Sequence, residues 1–125
     1  MITRSMIFVG VLVISPFAQA TDLHEPERYL AKPLKGDYYV YGGSIGDKTP
    51  PTQKERKLSL MLIGPLAKDL FDHIGPDAKG ACDVSPGYRE RIRGDLSCIH
   101  TKDHGYACYF GLNVVTGKST RDSIC

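Results

Sequence analysis

All four cysteines of this chain, Cys82, Cys98, Cys108 and Cys125, lie in its second half, and their number is even. Behind an export leader, such a set reads as a disulfide framework, which ties distant backbone positions together before any core is considered. The expected connectivity is neighbour pairing, Cys82–Cys98 with Cys108–Cys125. Each bridge would close a loop of about 16 residues and contribute about 3 kcal/mol through chain entropy. Cross-strand pairing of Cys98 with Cys108 is the rival, because the two flank a predicted hairpin turn. A one-residue change of register decides whether they face each other.

The same stretch holds zinc-ligand residue types at Cys98, His100, His104 and Cys108. Their spacing is not that of a familiar finger, no C-x-x-C occurs, and exported thiols are usually oxidised. No metal and no cofactor are expected.

The leader is read from the first twenty residues. Arg4 supplies a positive n-region, Met6 to Ile14 is uninterrupted and apolar, Ser15-Pro16 breaks the run, and Ala18-Gln19-Ala20 offers a small-x-small cleavage pattern. An apolar run of about nine residues falls short of the ~20 that span a bilayer. Residues 1–20 therefore read as a signal peptide cleaved after Ala20, and the product as periplasmic or secreted without a membrane anchor.

The 125 residues, 42% hydrophobic and 24% charged, suffice for one domain and exclude a disordered, collagen-like or multi-span chain. A formal charge of +2 gives no argument for nucleic acid as a partner. Residues 21–36, with Pro26 and Pro33, read as an extended N-terminal arm that docks through Leu23, Tyr29 and Leu34. Residues 37–125 read as a single α+β domain.

Within that domain, residues 37–44 and 57–63 have strand character, the latter with Leu58, Leu60 and Leu62 on one face. Gly64-Pro65 opens a helix over about 65–75, with Leu66, Ala67, Leu70, Phe71 and Ile74 at helical spacing, and Gly75-Pro76 ends it. Residues 88–93, 96–101 and 106–115 add strands, the last two joined by a turn at Lys102-Asp103-His104-Gly105. The reading is a small antiparallel sheet of about four or five strands with one helix packed on it, stapled by disulfides.

Residues able to do chemistry are few. Arg89, Arg91 and Arg93 share one face of a strand and could bind an anion or a partner bidentately, with Tyr106 a further candidate for the same role; Glu90 and Ile92 point the other way. A small secreted hydrolase such as a ribonuclease would need a base, an acid and a cation. His100 or His104 with Glu90 and the arginine row supply those types. Tyr38, Tyr39 and Tyr41 with Tyr106, Tyr109 and Phe110 are either core or a recognition surface. With no coherent catalytic set, the sequence points to a binding protein without catalytic activity. Its expected role is as an inhibitor or immunity protein against another envelope or secreted protein, through the exposed loops Ser44 to Glu55 and Ala78 to Gly87. The hydrolase is the alternative.

Overall fold

The computed structural model describes residues 31–123. The leader, arm residues Leu23 and Tyr29, and the last two residues lie outside them. Leu34 of the arm stands 61% exposed, so it does not dock.

Among the described residues, seven strands and one helix follow in chain order: β1 (Gly36–Ser44), β2 (Asp47–Thr49), β3 (Lys57–Ile63), α1 (Pro65–His73), β4 (Arg89–Arg93), β5 (Leu96–Thr101), β6 (Gly105–Asn113) and β7 (Ser119–Thr120). They form one sheet in the order β2-β1-β3-β6-β5-β4, with β7 on β6, and every pair is antiparallel. The α+β architecture is as expected. The strand count exceeds expectation because β2 lies in the Pro-rich loop and β7 beside the last turn. Both are too short to show a period.

Register separates the faces. Leu62 on β3 lies opposite Cys108 on β6, Cys108 opposite Cys98 on β5, and Cys98 opposite Arg91 on β4. These positions share one face, and α1 packs there: Phe71, Ala67, Cys98 and Cys108 are fully buried, with Leu62, Leu70, Leu96 and Tyr106 against them. Pro65 takes the first helical position after Gly64 (φ 72°), as predicted, and the helix stops at His73, two residues before Gly75.

The cysteine pairing corrects the neighbour scheme. Cys98 is bonded to Cys108, so the expected Cys82–Cys98 and Cys108–Cys125 bridges do not form. The reason is the hairpin: once Thr101 faces Gly105 across the turn, counting back along both strands brings Cys98 opposite Cys108. Both sulfurs are thereby unavailable to a metal. Cys82 is disulfide-bonded as well, and Cys125 lies outside the described residues. Tryptic mapping without reductant is expected to join the peptide 94–102 to 103–118. A link from 80–89 to 94–102 would restore the neighbour scheme. The cross-strand bridge closes a short loop and contributes about 3 kcal/mol.

Candidate functional site

The arginine row exists as read, and it faces α1. Arg91 donates from Nη1 to the Phe71 carbonyl at 2.8 Å, and Arg93 from Nε to the Ile74 carbonyl at 2.7 Å. Both serve carbonyls at the helix C-terminus, where the backbone leaves acceptors unpaired and positive charge is favoured. Arg89 and Arg91 also share Asp77, at 2.8 Å each, and their guanidiniums lie 5.2 and 4.4 Å from the Phe71 ring centre. Hydrogen bonds from Arg89 and then Arg91 hold the Asp77 carboxyl down at about 2. The row therefore fastens the helix end to β4. Tyr106 belongs to the same assembly, edge-on to Phe71 at 5.2 Å and 4.4 Å from the His100 ring.

The hydrolase residues are not brought together. His100 faces Arg89 across the β4–β5 pair and so lies on the helix side, stacked among Phe71 and Tyr106. Glu90, one residue from Arg89, lies on the opposite face. His104 sits exposed in its turn. A base and an acid on opposite faces of a sheet cannot meet at one substrate atom.

The face away from α1 is covered in part by residues 119–122. Gly111 lies beneath them, and a Cβ there would collide with Thr120 Oγ1 and the Asp122 carboxylate. Asp122 is 4% exposed and accepts a hydrogen bond from the Tyr41 hydroxyl at 3.2 Å. Burial, and then the Asp122 charge, push the Tyr41 phenol up to about 12. A pKa raised on folding gives stability that is intact below pH 10 and lost as pH rises from 10 to 12, here about 2 to 3 kcal/mol. Denaturation series across that window should show the loss in wild type. In Tyr41→Phe the slope should be clearly smaller, what is left coming from the phenols of Tyr88 and Tyr109, which burial also raises.

Further along this face, Glu90 is 2% exposed. It accepts hydrogen bonds from the Cys82 backbone N–H at 3.0 Å and from the Ser97 hydroxyl at 3.3 Å, and its own carbonyl accepts from Ala78 N–H at 2.7 Å. The 78–87 loop is thus tied to β4 and shields that edge of the sheet.

Among the described residues, the edge at β1 is not shielded. Ile63 donates its N–H to the Lys35 carbonyl at 3.0 Å, continuing the register in which Gly36 faces Leu62. Hydrogen-bonded and non-hydrogen-bonded pairs alternate along an antiparallel ladder. Asp37, Tyr39 and Tyr41 therefore bond to β3, while Gly36, Tyr38 and Val40 turn their N–H and C=O outward. β2 covers that outer side only at Gly42, Gly43 and Ser44. Pro50 and Pro51 follow it, and proline cannot donate to a ladder. Among the described residues nothing pairs with the outer edge from Gly36 to Val40. The side chains there are large and exposed: Tyr38 69%, Tyr39 52% and Val40 40%.

The β1 edge is not legible as a site in the sequence, which shows its tyrosines but not their open side. The signal available was Pro50-Pro51, which stops a hairpin partner before it can run the length of β1. Comparison with protein families, curated proteins and solved structures finds no match to this chain. No helix among the described residues is long and apolar enough to cross a membrane.

Proposed function

We propose that this is an exported, disulfide-stabilised binding protein, periplasmic or secreted, acting as an inhibitor or immunity protein. Its partner is another envelope or secreted protein, which it engages by accepting an extended segment alongside β1. The carrying observation is the outer edge at Gly36, Tyr38 and Val40, which no strand among the described residues pairs. Long exposed edges of apolar character are usually blunted in proteins that stay alone, and an incoming strand gains main-chain hydrogen bonds there while alternate side chains find pockets. The bridge between Cys98 and Cys108 supports an oxidising compartment.

The test is capture of a specific protein from envelope extract by wild type and by Val40→Pro. The Val40 N–H points away from β3, so proline there removes an outward donor and spares the ladder to β3. Wild type should retain one partner, and the variant should lose it with its thermal unfolding unchanged. Equal capture by both would refute the edge as the docking site. Cleavage of RNA by purified protein, abolished in His100→Ala, would establish the hydrolase instead.

A further inference from the structure

We infer that the cleft beside Glu90 is a binding site for a single organic cation, the ammonium head of a lysine side chain. The cleft has a volume of about 140 Å³ and is lined by Cys82, Tyr88, Glu90, Ile99, Tyr109 and Ser123. That is room for an ammonium group and the methylenes next to it.

The charge of Glu90 is unbalanced. A carboxylate withdrawn from water costs several kcal/mol unless a cation or a full set of donors compensates it. Glu90 is almost wholly buried, yet its two side-chain partners, Cys82 N–H and the Ser97 hydroxyl, are neutral. Among the described residues it takes part in no ion pair. A carboxylate accepts about four hydrogen bonds, and roughly half of that capacity is unfilled. The neighbouring arginines cannot supply the charge, because alternation along β4 sends Arg89 and Arg91 to the other face, where Asp77 and the helix end hold them.

The walls select the kind of cation. Tyr88 and Tyr109 both line the cleft, and aromatic faces attract an ammonium through the ring quadrupole. Burial first, and then the Glu90 charge, raise the Tyr88 phenol, so it stays neutral and does not compete as an anion. One carboxylate cannot satisfy a hard metal ion, which wants six or more oxygens. No cluster of three His, Cys, Asp or Glu occurs among the described residues. An alkylammonium fits: one charge for Glu90 and an apolar stem for Ile99 and the tyrosines.

The cation's source rests on the reading of the chain as a binding protein, since the lysine would be the partner's. The pocket itself is tested without the partner. Isotope-labelled protein is titrated with Nα-acetyl-lysine methylamide, and backbone amide shifts are followed by NMR. The expected result is saturable movement of Glu90, Ile99 and Tyr109 at about millimolar probe. Binding should weaken about ten-fold or more in Glu90→Gln, which keeps the acceptor for Cys82 but removes the charge. The Nε-acetylated probe, tested on wild type, gives the same contrast without any mutation and should not bind. No saturable shift, or equal binding of the acetylated probe, would overturn the site. Failure here leaves strand capture through Val40 untouched, and failure of capture leaves this titration untouched.

Discussion

Replacing Phe71 with alanine is expected to remove about 3 to 5 kcal/mol of stability, the range for a fully buried aromatic whose cavity cannot collapse. Phe71 is the largest wholly buried side chain among the described residues, and three groups depend on its ring. Tyr106 meets it edge-on, and the guanidiniums of Arg89 and Arg91 lie within about 5 Å of its centre. Neighbouring β-strand positions are fixed by the ladder and the Cys98–Cys108 bridge, so little relaxation can fill the hole. A domain of this size has roughly 5 to 15 kcal/mol in total. Chemical denaturation should therefore show a midpoint lowered by a large fraction with an unchanged slope. A loss below about 1 kcal/mol would mean that α1 does not sit on the sheet as described.

Gly111→Val should be comparably damaging, for the opposite reason. It adds atoms where Thr120 and Asp122 already stand. Overpacking of this kind costs about 1 to 3 kcal/mol when side chains can give, and more when backbone must move. Here the C-terminal segment has to lift, which breaks the hydrogen bond from Tyr41 to Asp122. Two readouts are thus linked: stability falls, and the Tyr41 phenol titrates back toward its ordinary value near 10. In an Asp122→Ala background the same substitution should cost less than alone, because the two changes share one contact. Strict additivity would show that Gly111 and Asp122 do not touch.

Those two positions mark what the sequence did and did not disclose. Phe71 was readable because a helix repeats every 3.6 residues, and Leu66, Ala67, Leu70, Phe71 and Ile74 follow that period between Gly64-Pro65 and Gly75-Pro76. Leu58, Leu60 and Leu62 were readable because strands alternate. Gly111 and Asp122 were not, since their meeting depends on the chain returning over the sheet after β6. The cysteine pairing fell between these cases. It follows from counting outward from the turn at Thr101 and Gly105, but a turn displaced by one residue would have given another answer.

The candidate site divides in the same way. Alternation correctly placed Arg89, Arg91 and Arg93 on one face and Glu90 on the other. It could not say that a helix C-terminus and Asp77 would be waiting for the arginines. Nor could it say that Tyr88, on the loop before β4, and Tyr109, on β6, would line a cleft with Glu90. Such meetings arise from pairings distant in the chain, and a local pattern contains no information about them.

The most direct test of an open β1 edge is residue-resolved amide hydrogen exchange on the purified, oxidised protein. Amides at Asp37, Tyr39 and Tyr41, bonded to β3, should exchange slowly, while those at Tyr38 and Val40 exchange fast. Addition of the captured partner should slow Tyr38 and Val40 as well. Slow exchange along the whole strand in the free protein would mean that its outer edge is already occupied, and would contradict the account.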